Sequence, residues 1–270
     1  MKSLWWRQIQ GILRMEVRKN LLSARALPIY LLGAIPIGIV TLFVLVASYL
    51  EDGPPTEFAG AGGAQIFFAL LFDLGIFRST LYFGCVWVFM NLFRGEVLDR
   101  SLHYYFLAPV KREVLVAGKF LSAWVGATIL FGAVSSICLA VIYNFLDAGN
   151  LTSAVGHWLA YLAIVAMATL GYGAIFMVAG LFMRNPVIPA ILIFFWEGLN
   201  PFLPSLLKKF SVVFYVQALY PIDMSQGPIE IISDPVSLWF AIPGFLLFTG
   251  AMLFLAGMQI RRMEVHYADD

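Results

Sequence analysis

The stretch LPIYLLGAIPIGIVTLFVLVASYL, residues 27–50, contains no charged side chain in 24 positions. A helix of about 20 mostly apolar residues crosses the hydrocarbon core of a bilayer. This stretch therefore predicts a membrane-spanning helix, and similar runs recur along the chain. We predict six spans, at residues 27–50, 64–93, 120–146, 157–182, 187–206 and 238–260. The fifth is the shortest apolar run, and Pro189, Pro201 and Pro204 interrupt it.

The composition excludes a soluble globular domain and a nucleic-acid-binding protein. Charged residues make up 12% of the chain and hydrophobic residues 61%, whereas a soluble domain carries about 25% charged residues. The net charge of +1 offers no concentrated basic face to a nucleic acid. Cys85 and Cys138 lie in apolar runs without a metal-binding spacing, which is typical of small buried side chains. We expect an all-α membrane protein with a single transmembrane domain over residues 1–270.

The basic residues mark one side of the predicted membrane. Fourteen of the 17 Lys and Arg residues precede span one, separate spans two and three or spans four and five, or follow span six. Because Lys and Arg are enriched in cytoplasmic loops, both termini and residues 94–119 are predicted to be cytoplasmic. Lys208 and Lys209 are exceptions that we place at the external interface, where long side chains reach the head groups. The alternative is a cytoplasmic position for both lysines and a different number of spans.

Residues 1–26 form the predicted entry to the membrane. Apolar residues such as Leu4, Trp5 and Ile9 alternate with basic residues such as Arg7 and Arg14 at roughly helical spacing. A basic amphipathic helix with Trp on its apolar side lies in the membrane interface. The alternative is a solvated basic segment that only orients the spans.

The stretch FRGEVLDRSLHYYFLAPVKREVLVAGKF, residues 93–120, concentrates charge between spans two and three. Apolar side chains recur in it at helical spacing: Leu98, Leu102, Tyr105 and Phe106. Charged and polar side chains occupy the other face: Glu96, Asp99, Arg100 and His103. This pattern predicts a short amphipathic helix that ends before Pro109, since the residue before a proline avoids the α region. The alternative is a loop whose charges only orient the spans.

The order Arg94-Gly95-Glu96, Leu107-Ala108-Pro109-Val110, Lys111-Arg112-Glu113 and Gly118-Lys119 resembles the first cytoplasmic loop of ABC-2 type transporter permeases. The resemblance covers residues 94–119 in detail, and the six-span layout extends it loosely over the chain. It implies that the short helix is a coupling helix seated in a groove of a separate ATP-binding subunit. By this resemblance the residues that face that subunit are Glu96, Asp99, Arg100 and His103.

The same resemblance implies an assembly and a location. Permeases of this family pair as dimers, which leaves a homodimer and a heterodimer equally open for this chain. The family also carries an external re-entrant segment before the last span, and residues 200–235 are similar to it. The expected location is the cytoplasmic membrane of a bacterium, with lipids as neighbours on all sides.

Residues 113–120 do not form a phosphate-binding loop. The pair Gly118-Lys119 is followed by Phe120, and Glu113 stands where the G-x-x-x-x-G-K-[ST] pattern requires glycine. We therefore expect no directly bound cofactor, with ATP hydrolysed on the partner chain, and no enzymatic activity in this chain. His103, His157 and His266 lie on separate segments, so no metal site is predicted. The expected function is the permease subunit of an ATP-driven exporter. An integral membrane enzyme and a non-transporting assembly or structural protein stay open as alternatives.

Three charged residues fall inside the predicted spans: Asp73, Arg78 and Glu197. A charge in the centre of a bilayer costs roughly 2.5–3.5 kcal/mol on insertion scales, so such residues normally face the bundle interior and find a partner. We predict either that Asp73–Arg78 or Arg78–Glu197 pair to fix helix packing, or that these residues line the translocation route. Span four is rich in Ala and Gly, which predicts a central helix that its neighbours approach closely.

Overall fold

The computed structural model describes residues 11, 26–50, 61–98, 112–146, 151–183, 185, 187–222 and 236–262. Every regular element in these ranges is a helix, and no strand occurs among them. Most of the predicted interfacial helix at 1–26 lies outside the described residues. The same holds for 99–111 of the predicted coupling loop and for 223–235 of the predicted re-entrant region.

The helices are α1 (Leu27–Leu50), α2 (Ala61–Leu71), a π-helix (Phe72–Leu81), α3 (Tyr82–Leu98), α4 (Arg112–Leu146), α5 (Leu151–Phe182), α6 (Val187–Gly198), α7 (Ser205–Lys208), α8 (Val212–Val216) and α9 (Leu238–Arg262). The second to fourth of these follow one another without a break and form one long helix. Two single 3₁₀ turns, Asn200–Phe202 and Gln217–Leu219, lie between α6 and α9.

Five stretches of the described chain are long and apolar enough to cross a membrane: Leu27–Tyr49, Gly62–Phe93, Val114–Leu146, Ala154–Phe182 and Leu238–Arg261. The chain therefore has the character of a multi-pass helical membrane protein. The surface agrees with this, because large apolar side chains such as Leu31 and Leu247 are 62% and 76% exposed. In water such a surface would drive association, whereas lipid tails cover it without cost.

The segment predicted as the fifth span is broken. Helix α6 has 12 residues, which reach about 18 Å at a rise of 1.5 Å per residue, well short of a hydrocarbon core of about 30 Å. It ends at Gly198, and Pro201 and Pro204 follow within six residues. Residues 199–206 therefore form a 3₁₀ turn and the start of α7 instead of continuing the helix. Six complete spans stay a prediction.

Helix α5 lies at the centre of the bundle, as its small residues predicted. It packs against α3, α4, α8 and α9. A Cβ atom at Gly171 would lie 2.8 Å from the ring of Phe245 on α9, and one at Gly173 would lie 2.6 Å from the ring of Phe89 on α3. These glycines are therefore what allows α5 to contact two neighbours at close range.

Candidate functional site

The predicted coupling residues lie mostly outside the described part of the chain. Glu96 falls in the last turn of α3, and its backbone is helical, but its side chain is outside the description. Asp99, Arg100 and His103 lie wholly outside the described residues. The coupling surface therefore stays a prediction, placed by the sequence between the end of α3 and the start of α4.

Lys119 is inside the bundle rather than on a solvated loop. Helix α4 already begins at Arg112, and the Lys119 side chain is fully buried. Its Nζ lies 3.5 Å from the carbonyl oxygen of Leu92 and 5.4 Å from the centre of the Phe93 ring. This lysine therefore ties the last described turns of α3 to the first turns of α4, next to the predicted coupling loop.

Asp73 and Arg78 form an ion pair, and the π-helix is what brings them together. The Nε atom of Arg78 donates to Oδ2 of Asp73 over 2.8 Å. Residues five apart point about 140° away from each other in an α-helix of 3.6 residues per turn, whereas the i→i+5 bonding of a π-helix stacks them. The hydroxyls of Ser79 and Thr80 both donate to the carbonyl of Gly75 and supply extra bonds within the widened turn.

Tyr220 completes the surroundings of Asp73. Its hydroxyl donates to Oδ1 of Asp73 over 2.9 Å, so that both carboxylate oxygens are engaged and the side chain is only 2% exposed. A carboxyl group loses its proton at a much lower pH than a phenol does. The phenol therefore keeps its proton and acts as a donor. This bond joins the first turn of the π-helix to the residue that follows the last 3₁₀ turn.

Glu197 has a separate set of partners and does not pair with Arg78. Its carboxylate accepts hydrogen bonds from the Ser211 hydroxyl at 2.6 Å and from the backbone N–H groups of Val212 and Val213 at 2.9 and 3.1 Å. Asn200 in turn donates to the Ser211 hydroxyl over 2.6 Å. The carboxylate thus satisfies donors at the first turn of α8 that have no acceptor within the helix, and an anion is favoured at that end.

Both acidic residues hold the same stretch of chain. Residues 199–222 leave α6, form α7, α8 and two 3₁₀ turns, and we refer to them as the broken segment. Glu197 fixes its middle and Asp73 fixes its end through Tyr220. Tyr82 on α3 also contacts α6, the helix that precedes the broken segment, because its hydroxyl donates to the carbonyl of Ala190 over 2.7 Å. The two buried carboxylates therefore anchor irregular backbone to α6 and to the long helix that contains Asp73.

Chemically, the arrangement offers two buried, hydrogen-bonded carboxylates and one guanidinium group. Among the described residues, no three His, Cys, Asp or Glu side chains lie close enough to hold a metal ion. Cys85 and Cys138 are free thiols buried in the core. His157 contacts the Tyr143 hydroxyl at 3.1 Å through Nδ1. The Tyr161 hydroxyl is buried without a hydrogen-bond partner in the described structure, beside Phe72 and Tyr220.

Sequence reasoning missed Tyr220, Ser211 and Asn200, which complete the two networks. Each is a common neutral side chain in a segment without periodicity, so nothing in its position signals a buried partner. The only available signal was indirect, because a carboxylate in an apolar helix requires donors from elsewhere in the chain. Comparison with protein-family models and with curated proteins found no match for this sequence.

Proposed function

We propose that this chain is the permease subunit of an ABC-2 type transporter, which exports a substrate across a bacterial cytoplasmic membrane while a separate subunit hydrolyses ATP. The resemblance of residues 94–119 to the family's first cytoplasmic loop supports this function. The five long apolar helices support a multi-pass membrane protein, and the proposal further requires α6 and the broken segment together to complete a sixth crossing. Both termini and the loop between α3 and α4 face the cytoplasm in this proposal.

The observation that carries the proposal is the position and anchoring of the broken segment. Irregular backbone at membrane depth is tolerated only where protein or a water-filled cavity covers it. Here α8 packs on α5 and α9, and the carboxylate of Glu197 caps its first backbone N–H groups. A broken segment that precedes the last long helix, and whose second part around Val212–Val216 is buried against α5 and α9, is what an external re-entrant segment of this family requires.

The helices next to the loop offer a route for coupling. Helices α3 and α4 emerge on either side of residues 99–111, pack on each other, and both contact α5. Lys119 connects them close to the loop. In the proposed mechanism, movement of the ATP-binding subunit displaces the loop, and the two helices carry that displacement to the centre of the bundle. A second permease copy, identical or homologous, completes the assembly.

Charge reversal in the predicted coupling helix tests the function. The variant Glu96→Lys/Arg100→Glu should insert into the membrane normally but should capture a candidate ATP-binding subunit less well, or uncouple its ATP hydrolysis from transport. The matched control is Lys208→Glu/Lys209→Glu, which reverses two charges on the predicted external side and should change neither property. Leu98→Asp should instead impair folding, because that side chain is predicted to face the bundle.

Pull-down of the ATP-binding subunit and substrate-stimulated hydrolysis in proteoliposomes are the measurements. If the Glu96 and Arg100 reversals capture and stimulate the subunit as well as the native chain does, residues 94–119 only orient the spans. A native chain that captures no ATP-binding subunit at all would favour the non-transporting assembly role.

A further inference from the structure

Arg78 lies at the middle of a candidate span. Gly62–Phe93 is 32 residues long, and Arg78 is nearly equidistant from its two ends. Charged side chains at this depth normally face other protein groups or a water-filled cavity, since hydrocarbon provides no acceptor for their N–H donors. The partners of Arg78 therefore have to be accounted for one by one.

Only one of the three nitrogen atoms of the Arg78 guanidinium group has a hydrogen-bond acceptor in the described part of the chain. Its Nε donates to Asp73, and in the described part of the chain the four N–H donors on its two Nη atoms have no acceptor. The side chain is 25% exposed, in contrast to 2% for Asp73. Because Asp73 holds the Nε side of the group, the two Nη atoms at its other edge are left to bind a further acceptor.

Exposed apolar side chains occur at nearby positions of the helix that carries Arg78. Leu74, four residues earlier, is 49% exposed, and Phe83, five residues later, is 44% exposed. Phe83 stacks on Phe194 of α6, with ring centres 5.5 Å apart, and Phe194 is itself 41% exposed. The helix that carries Arg78 therefore offers exposed apolar side chains on which the hydrocarbon body of a ligand can lie.

A second copy of the chain does not supply an acidic partner from its described side chains. Asp73 and Glu197 are the carboxylates among them, and both are buried and occupied by hydrogen bonds within their own chain. The open edge of a guanidinium group matches two oxygens of one phosphate or carboxylate, which accept its parallel N–H donors together.

We propose that Arg78 binds the phosphate or carboxylate head of an amphipathic anion whose hydrocarbon body lies against Leu74 and Phe83. In so far as this ligand is a transported substrate, the inference rests on the proposed function. Binding itself requires only the permease chain. The Asp73 carboxylate orients the guanidinium group and also offsets its charge, so the two residues should affect anion binding in opposite directions.

The test is retention of radiolabelled dodecyl phosphate by the purified chain in a neutral detergent, measured by scintillation proximity. Arg78→Gln should weaken binding by about tenfold or more, the loss expected for a charge-assisted hydrogen-bonded pair. Asp73→Asn should strengthen binding, because it keeps an acceptor for Nε and removes the opposing charge. Lys209→Gln, which removes an exposed positive charge elsewhere, should leave binding unchanged.

Competitors define the ligand class. Unlabelled dodecanoate should displace dodecyl phosphate, whereas dodecyl trimethylammonium and inorganic phosphate at the same concentration should not. Equal displacement by inorganic phosphate would overturn the amphipathic class, and equal binding by native chain and Arg78→Gln would overturn the site. The double variant Asp73→Asn/Arg78→Gln leaves no unpaired buried charge and should also lose binding, which separates the site from misfolding of the single variant.

Further outcomes distinguish the anion site from a contact between two copies of the chain and from the proposed permease function. If Arg78→Gln converts a dimer to a monomer without changing dodecyl phosphate binding, the guanidinium group belongs to a contact between copies and the inference is wrong. Capture of an ATP-binding subunit by a chain that binds no dodecyl phosphate defeats the anion site alone. Anion binding by a chain that captures no such subunit defeats the proposed function alone.

Discussion

The hydroxyl of Tyr220 donates a hydrogen bond to Asp73 over 2.9 Å, although the two residues are 147 positions apart in the sequence. This bond joins the π-helix in the middle of one candidate span to the end of the broken segment. Arg78 holds the other oxygen of the same carboxylate. Asp73 is therefore the point at which an ion pair within one helix and a contact between distant segments depend on each other.

Replacing Tyr220 with Phe should destabilise the fold. The substitution keeps the ring but leaves one oxygen of a buried carboxylate without its donor, which costs about 1–3 kcal/mol or more for a charged group. Tyr215→Phe is the matched control, because the hydroxyl of Tyr215 donates to the backbone carbonyl of Lys209, an exposed residue in a turn. Thermal unfolding in detergent should show the larger loss for Tyr220→Phe, and equal losses would contradict the role given to Asp73.

Glu197 should control the local stability of the broken segment. Glu197→Ala removes the acceptor of three donors, so the first turn of α8 should open more often, and its amides should exchange faster in hydrogen–deuterium exchange. A loss of about 1–3 kcal/mol corresponds to roughly 5- to 150-fold faster exchange if the opening is local. Asn200→Ala should have a smaller effect, since Asn200 contacts only the Ser211 hydroxyl in this network. Unchanged exchange over 211–217 in the Glu197 variant would show that other contacts hold the segment.

The sequence predicted the long helices because hydropathy is a local property. It could not predict the π-helix, because no local sequence pattern indicates the change in the number of residues per turn. In an α-helix, Asp73 and Arg78 would lie on different faces and could not pair. Two pairings of Arg78 therefore had to stay open until the backbone was known. Glu197 was recognised as a charge that is costly to place within a membrane. Its partners, however, are mainly backbone N–H groups 15 and 16 residues away, and backbone groups cannot be identified as partners from the residue types.

The burial of Lys119 is a second feature that the sequence could not predict. Its position among other basic residues indicated a place in the cytoplasmic coupling loop 94–119, because a charge pattern describes the segment as a whole and not the burial of one side chain. Its burial depends on α4 beginning at Arg112 and on the positions of Leu92 and Phe93 across the helix pair. Both are properties of tertiary packing rather than of residues 94–119.

The predicted orientation should be visible by chemical labelling of intact cells. Single cysteines at Thr56, Ser153 and Ser233, in a chain whose Cys85 and Cys138 are replaced by Ala, should react with a membrane-impermeant thiol reagent from outside. A cysteine at Ser101 should react only after the membrane is permeabilised, since the basic residues predict a cytoplasmic position for its loop. Labelling of Ser101 in intact cells would invert the topology and remove the basis for a cytoplasmic coupling loop.

Close packing of α5 on α3 should make Gly180 intolerant of a side chain. A Cβ atom there would lie 2.8 Å from the carbonyl oxygen and 3.0 Å from the Cα atom of Met90, and backbone atoms cannot rotate out of the way. Gly180→Ala should therefore separate the two helices and cost about 1–3 kcal/mol, as overpacking does. Gly156→Ala is the control on the same helix, because nothing lies within 4 Å of its added Cβ.

The control substitution should be neutral or should stabilise the helix by up to about 1 kcal/mol, since Ala is the better helix former. The stabilities of the two variants are compared by thermal unfolding in the same detergent. Under the proposed function, Gly180→Ala should also weaken the link between ATP hydrolysis and transport even where the protein still inserts, because α3 leads into the predicted coupling loop. Equal stability of Gly180→Ala and Gly156→Ala would mean that α3 and α5 are not in close contact at Met90, and the route given to the coupling movement would fail with it.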